Sequence, residues 1–317
     1  MDSPRTIESG DRAIDGAVFD LKRFATGDGP GIRTLVFLKG CPMRCVWCAN
    51  PESHSRNPEI MYHKNRCTGC GRCMAACPAG AIRFDETYGL VTDSELCMRC
   101  GRCADVCLAE AREVIGRNMT VKQVLRILRR DRRYFDNSGG GVTLTGGEPL
   151  AQCSFARELL KSCKEVSIHT AIETCGFVGW ECMESILPYV DLLFYDIKHP
   201  DSDIHRKFTG QSNERILENL LRASHAFDGK EIIVRIPIIP GHNDDESTIS
   251  KIFEFVGRLP NIIRIELLPY HRLGTVKYAG LGRSYKLRDL EPLQRHDLEC
   301  LKALGEAFPV EVRIDST

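Results

Sequence analysis

Gly40-Cys41-Pro42-Met43-Arg44-Cys45-Val46-Trp47-Cys48-Ala49-Asn50-Pro51 follows directly on the apolar run Leu35-Val36-Phe37-Leu38. Three cysteines spaced Cys-x3-Cys-x2-Cys on one loop can wrap one face of a metal centre. On a four-iron cluster they leave one iron without a protein thiolate, free to hold a further group. A zinc site and a set of buried free thiols are the other readings of the trio. Zinc prefers four closed ligands in paired Cys-x2-Cys spacing, and no fourth ligand stands nearby. Residues 32–38 read as a buried strand that delivers this loop at its C-terminal end. Placing reactive groups after strand C-termini is the habit of α/β barrels.

The chain has 317 residues, with 43 basic and 43 acidic side chains and a formal charge of zero. That balance offers no electrostatic footprint for nucleic acid and no polybasic patch for a membrane surface. Residues 1–16 mix charges, lack the apolar core of a signal peptide, and read as a mobile leader. No apolar run approaches the ~20 residues a membrane helix needs. These features point to the cytoplasm, where thiols stay reduced. Sixteen cysteines in that setting argue for metal ligation rather than disulfides.

Between residues 57 and 117 the composition changes. Cys67, Cys70, Cys73 and Cys77, followed by Pro78, match the Cys-x2-Cys-x2-Cys-x3-Cys-Pro run of bacterial ferredoxins. The pattern recurs as Cys97, Cys100, Cys103 and Cys107, with Leu108 where proline is usual. In two-cluster ferredoxins the fourth cysteine of each run ligates the other cluster. One cluster is therefore assigned to Cys67, Cys70, Cys73 and Cys107, the other to Cys97, Cys100, Cys103 and Cys77. Successive x2 spacings suit a cubane better than a tetrahedral ion. The segment reads as a ferredoxin-like domain of two repeats, about residues 58–87 and 88–117.

The remainder alternates strand and helix. Thr120 can cap a helix whose Val121, Val124, Leu125 and Leu128 share one face. Strands are expected near residues 17–23, 142–144, 165–172, 191–195, 231–239 and 262–268. Helices are expected at 178–187, 213–226 and 245–257, with a broken one around Pro292 at 287–305. Such alternation argues for a parallel sheet covered by helices. Without the cysteine-rich segment the chain keeps about 250 residues, the length of a complete barrel. Residues 17–56 and 118–317 are taken as one α/β domain.

The cysteine trio, with Asp28-Gly29-Pro30-Gly31-Ile32-Arg33 before it and Asn50-Pro51-Glu52 after it, resembles the radical S-adenosylmethionine superfamily. More narrowly, it resembles the activating enzymes of glycyl-radical enzymes. The resemblance implies an incomplete (β/α)6 barrel, with a lateral mouth suited to a macromolecular substrate. It implies that Cys41, Cys45 and Cys48 hold a [4Fe-4S] cluster whose open iron chelates S-adenosylmethionine. One-electron reduction of that complex would yield a 5′-deoxyadenosyl radical, which removes hydrogen from a glycine Cα of the partner. Three [4Fe-4S] clusters are expected in all, with a flavodoxin or ferredoxin-type electron donor.

Residue by residue, the likeness assigns further contacts. Gly146-Gly147-Glu148-Pro149 matches the element that holds the cofactor's amino group, Glu148 supplying a negative acceptor. Trp47 and Ala49 lie in the segment that packs on the adenine in relatives. Asp196-Ile197-Lys198 looks like the cofactor-contacting Asp-x-Lys, and His271, in Pro269-Tyr270-His271, matches another contact. Arg235 lies among isoleucines, where a buried charge needs a partner; the cofactor's carboxylate is the partner expected. Asp28 is the expected contact to the partner enzyme. Glu173, Thr174 and Asp196 correspond to a monovalent-cation site of one branch, which has aspartate where this chain has Glu173.

Cys153, Cys163, Cys175, Cys182 and Cys300 match no ligand spacing and read as buried filler, Cys175 standing out beside Glu173-Thr174. Two rival functions remain: a radical enzyme acting on a small molecule or peptide, and a non-catalytic electron carrier. The carrier would leave the trio and Gly146-Gly147-Glu148-Pro149 without purpose. Among possible partners the region 49–53 leans towards isethionate sulfite-lyase. Glycerol dehydratase, choline trimethylamine-lyase, 4-hydroxyphenylacetate decarboxylase and benzylsuccinate synthase are the others.

Overall fold

The computed structural model describes residues 14–227 and 229–315. Strand β1 (Asp15–Ala25) runs antiparallel to β2 (Arg33–Leu38), which ends at the cysteine loop. Asp15 and Gly16 therefore belong to the sheet rather than to a leader, and residues 1–13 lie outside the described part. The chain then leaves the sheet. β3 (Glu59–Tyr62), helix α1 (Arg72–Ala75), the hairpin β4 (Ile82–Asp85) and β5 (Gly89–Thr92), α2 (Arg102–Asp105) and β6 (Arg112–Ile115) form a unit with its own small sheets. β3 and β6 pair antiparallel, and α1 packs on α2. β7 (Arg117–Thr120) returns to pair with β1.

From there strand and helix alternate. Helices α3 (Val121–Arg130) and α4 (Arg132–Ser138) precede β8 (Gly141–Gly146), and α5 (Cys153–Glu165) precedes β9 (His169–Thr174). α6 (Trp180–Ile186) leads to β10 (Leu192–Asp196), then α7 (Ser202–Thr209) and α8 (Glu214–Ala226) to β11 (Glu231–Ile238). α9 (Glu246–Val256) leads to β12 (Ile262–Pro269), and α10 (Gly274–Gly280) and α11 (Arg295–Leu304) to β13 (Glu311–Ile314). The sheet order is β13-β12-β11-β10-β9-β8-β2-β1-β7, parallel from β2 to β13.

Side chains alternate across each strand. Ile172, Leu193, Tyr195, Val234 and Ile236 join Leu159, Leu220 and Phe253 of the helices in one buried cluster. Ala171, Leu192, Phe194 and Ile233 form a second cluster on the opposite face. Glu173, Asp196 and Arg235 continue that second face towards the strand C-termini.

Several expectations shift. The strand expected at 165–172 begins only at His169, because α5 buries Phe155, Ala156, Leu159, Leu160 and Cys163 at helical spacing and runs to Glu165. α5 stops in a Schellman arrangement, Ile168 N donating to Cys163 O at 2.9 Å and Ser167 N to Lys164 O at 2.9 Å. Ser167, with φ 55°, takes the left-handed position usually given to glycine. The broken helix expected at 287–305 is helical only from Arg295, where Gln294 and Asp297 form a capping box. α7 and the four-residue β13 had no counterpart in the sequence reading. Among the described residues no helix is long and apolar enough to cross a membrane.

Candidate active site

The cysteine loop is fastened on two sides by backbone hydrogen bonds. Gly147 N donates to Leu38 O at 2.9 Å and Glu148 N to Gly40 O at 2.9 Å, locking the β8 loop against the β2 loop. Arg44 N donates to Thr209 O at 2.6 Å and Val46 N to Phe208 O at 3.0 Å, so the end of α7 holds the other side. A Cβ on Gly147 would stand 2.6 Å from the Gly40 carbonyl oxygen and 3.1 Å from Cys41 Cβ. Only glycine lets the loops approach this closely.

A cavity of about 690 Å³ opens at the C-terminal ends of the parallel strands. Cys41, Cys45 and Cys48 line it with Trp47, Ala49, Gly146 and Gly147. Asp196, Lys198, Arg235 and His271 lie on its wall, and Asp28 stands among the residues of the β1–β2 loop that also face it. Burial pushes each thiol of the trio up to about 12. Ligation therefore needs a cation strong enough to draw the protons off, as bound iron does. Among the described residues no three His, Cys, Asp or Glu side chains gather tightly enough to hold a single metal ion. Three sulfurs around one open cavity suit a bulkier cluster, which spreads its ligands.

Two of the expected contact residues lie outside the cavity lining. Glu148 is fully buried and does not line the cavity. Its Oε1 accepts from Leu150 N (3.0 Å) and Thr174 Oγ1 (2.7 Å), and its Oε2 from Cys175 N (2.9 Å) and Cys175 Sγ (3.1 Å). Four donors saturate the carboxylate, so it ties the β8 and β9 loops together and has no acceptor left for an ammonium group. Ile197 points into the main core, as the alternation of β10 requires; Asp196 and Lys198 flank it on the cavity side. Lys198 Nζ lies 2.8 Å from Asp196 Oδ2. Burial alone would lower this ammonium, but Asp196 beside it carries it above its ordinary value.

Arg235 already has partners. Its Nη1 donates to Glu173 Oε1 at 2.6 Å and its Nε to Glu266 Oε2 at 3.0 Å, so burial does not oblige it to meet a cofactor carboxylate. Thr145 Oγ1 donates to Glu173 Oε2 at 2.6 Å. Burial works against the charge on Glu173 and Arg235 works for it; with a donor on each oxygen, the geometry supports the charged pair. The side chains of Glu173, Thr174 and Asp196 are thus engaged with Arg235, Glu148 and Lys198 respectively. Trp47 packs against Phe208 and His242, with ring centroids 6.5 and 6.1 Å apart. Burial lowers His271, which favours its neutral form.

In the 57–117 segment, one cavity is lined by Cys67, Cys70, Cys73 and Cys107, and another by Cys77, Cys97, Cys100 and Cys103. The two repeats match bond for bond. Gly69 N and Arg99 N approach Cys67 Sγ and Cys97 Sγ at 3.4 Å. Ala81 N approaches Cys77 Sγ at 3.3 Å, and Ala111 N approaches Cys107 Sγ at 3.2 Å. Such amide–sulfur bonds are the means by which a protein tunes a cluster.

Of the remaining cysteines, Cys163 and Cys175 are buried, as read. Cys153 and Cys182 are instead joined in a disulfide between α5 and α6, with Cα atoms 5.9 Å apart. Cys300 is exposed, with its sulfur 3.8 Å from His296 Nε2. Regular spacing betrays a cluster motif; a pair 29 residues apart on two helices leaves no such mark.

A three-thiol loop and a glycine loop at the C-terminal edge of a mostly parallel sheet define a fold and site that the comparisons identify. The family profile of the Radical SAM superfamily matches residues 35–252, and the chain belongs to that superfamily. Within it, the chain is one of the activating enzymes of glycyl-radical enzymes. It is 45% identical to the isethionate sulfite-lyase activating enzyme of Oleidesulfovibrio alaskensis, over 86% of this chain and 89% of the relative. It is also 45% identical to the (2S)-3-sulfopropanediol sulfolyase activating enzyme of Bilophila wadsworthia, over 89% and 93%. Identity to the choline trimethylamine-lyase activating enzyme of O. alaskensis is 40%, over 93% and 97%. A radical SAM methyltransferase from Sphaerobacter thermophilus shares the fold, with TM-score 0.52 at 13% identity over 94% of this chain and 76% of that one. The enzyme thus uses a [4Fe-4S] cluster and S-adenosylmethionine to activate a glycyl-radical partner.

Proposed function

We propose that the partner is a glycyl-radical enzyme acting on a sulfonate, with isethionate sulfite-lyase the first candidate. What carries this is the identity of 45% to two relatives named for isethionate sulfite-lyase and (2S)-3-sulfopropanediol sulfolyase, against 40% for the choline trimethylamine-lyase relative. The domain is read as an incomplete barrel, consistent with terminal strands β13 and β7 that do not pair with one another.

A [4Fe-4S] cluster held by Cys41, Cys45 and Cys48 would supply the electron that splits bound S-adenosylmethionine into methionine and a radical able to take hydrogen from the partner's glycine Cα. The chain's own residues bind and orient. Cys41, Cys45 and Cys48 hold the cluster, and the backbone of Gly146 and Gly147 faces the cofactor's amino end. Trp47 and Ala49 would pack at its adenine, and Asp196, Lys198 and His271 would meet its remaining polar groups. Arg235, charge-balanced between Glu173 and Glu266, braces the cavity wall. Asp28 faces the incoming partner.

The 57–117 segment is read as a ferredoxin-like domain with two further [4Fe-4S] clusters, on Cys67, Cys70, Cys73 and Cys107 and on Cys97, Cys100, Cys103 and Cys77. Support comes from the two cavities, each gathering one of these sets. A flavodoxin or ferredoxin-type protein is the proposed electron donor, and the cytoplasm the proposed location.

The test is anaerobic. Reconstituted enzyme should carry about twelve irons. With dithionite and S-adenosylmethionine it should give a glycine-centred doublet in electron paramagnetic resonance on isethionate sulfite-lyase, abolished by Cys45→Ala. A doublet on another glycyl-radical enzyme alone would reassign the partner. About four irons would remove the auxiliary clusters.

A further inference from the structure

Arg33 opens β2 and is the largest fully buried side chain among the described residues. Among the described residues no carboxylate forms an ion pair with it. Its donors go elsewhere: Nε to Thr143 Oγ1 at 2.7 Å, Nη1 to Pro30 O at 3.1 Å and Nη2 to Val142 O at 2.5 Å. His169 Nδ1 lies 3.4 Å from both terminal nitrogens. Having accepted from Arg33, the Thr143 hydroxyl donates to Asp28 O at 2.9 Å. Two bonds thus run from one buried cation into the loop that bears Asp28, one direct to Pro30 and one relayed through Thr143.

The loop is shaped to lie on the guanidinium. Gly29 has φ 124°, and a Cβ there would meet Arg33 Cδ at 3.0 Å and Nε at 3.1 Å. Gly31 has φ 66°, and a Cβ there would meet Ser138 O and Gly140 N at 2.5 Å. Ile32 N donates to Ser138 Oγ at 2.8 Å and closes the far side. Burying a cation on which the carboxylates of Asp28, Glu173 and Asp191 act only at a distance is costly, and an apolar side chain could fill the volume at less cost. An arginine earns its place here through a planar fork that reaches several acceptors at fixed angles. Burial pulls it down to about 10, so it keeps its charge at neutral pH.

Resting on the reading that the Asp28 loop meets the partner, we propose that Arg33 is a positioning residue. Through Thr143 and the carbonyls of Asp28 and Pro30, it fixes the wall of the cavity against which the partner's glycine-bearing segment docks. It touches neither the cluster loop nor the residues assigned to S-adenosylmethionine, so its loss acts on partner recognition and spares cofactor cleavage.

The test follows the initial rate of glycyl-radical formation against partner concentration. Isethionate sulfite-lyase, (2S)-3-sulfopropanediol sulfolyase and choline trimethylamine-lyase are offered in turn. Release of 5′-deoxyadenosine without partner is the second readout. Thr143→Val keeps shape and removes both hydrogen bonds of the relay; it should raise the apparent KM for the partner by about tenfold or more. Cofactor cleavage without partner should stay within about twofold of wild type. Arg33→Lys should fall between wild type and Arg33→Met, since an ammonium keeps only part of the fork. Combined with Asp28→Asn, Thr143→Val should add little, because both act through one loop.

An unchanged partner KM in Thr143→Val and Arg33→Lys, with only a lower melting temperature, would reduce the brace to scaffolding and overturn the proposal. So would a parallel loss of cofactor cleavage in Thr143→Val. If wild-type enzyme, active in cofactor cleavage, forms no glycyl radical on any partner, the partner reading itself fails and takes the proposal with it. The wild-type control tells the two failures apart.

Discussion

A single methyl group on Gly147 would stand 2.6 Å from the Gly40 carbonyl oxygen of a different loop, closer than van der Waals contact allows. Gly147→Ala must therefore push the cysteine loop away from β8. We expect loss of the site cluster, while any iron held by the eight cysteines of the 57–117 segment stays in place. Iron content with Mössbauer spectroscopy reads this directly, and a full complement of site iron would contradict it. His205 makes a pH prediction. Its Nδ1 lies 2.6 Å from Gln211 O, its Nε2 is buried without a partner among the described residues, and burial pulls it from 6.5 down to about 4. An unfolded chain takes up this proton below pH 6.5, the folded chain only near 4. The stability His205 contributes is thus complete above 6.5 and is lost as pH falls towards 4. His205→Gln should flatten that limb of a stability–pH curve, and a limb of unchanged slope would assign it to other groups. Motif spacing made the cysteines and glycines legible in the sequence. It could not show that the Glu148 carboxylate is used up by four donors, because those donors lie on β9 and the turn after β8, brought there only by folding. The same holds for Arg235, whose partners come from the adjacent strand β12 and, across β10, from β9.

α7 shows how an element too short for a periodic pattern can govern a site. Its eight residues escaped the sequence reading, yet Phe208 and Thr209 supply the carbonyls that hold Val46 and Arg44 of the cysteine loop. Asp201 caps it, accepting from Ile204 N at 2.9 Å. Asp201→Ala should cost ~1 kcal/mol of stability and loosen the loop from that side. Faster loss of site iron to a chelator, at unchanged rates for the other irons, is the expected readout; equal rates would show that the β8 side alone suffices. The long amphipathic or apolar elements, α8, α9, β11 and β12, were legible to within a residue or two. The boundary between α5 and β9 was not, because a serine rather than a glycine takes the left-handed stop.

For the molecule as a whole, a parallel sheet covered by helices followed from βα alternation. The antiparallel strap of β1 and β7 did not, since β7 has four residues and no apolar alternation to announce it. That strap bears on how the segment is joined on. Glu59 and Ile115, at its two ends, are register partners in β3 and β6, so chain enters and leaves through one doorway a single strand spacing wide. Glu59 is gripped there by Lys39 and Arg283. Replacing residues 60–114 with a short turn should therefore leave the nine-stranded sheet folded and its own cluster in place, measurable as about four irons and an unaltered melting transition for the core. Collapse of the sheet would mean the segment is a buttress. A surviving core would make it a cartridge, something a lineage can acquire, discard or exchange at one seam without redesigning the machine that houses it.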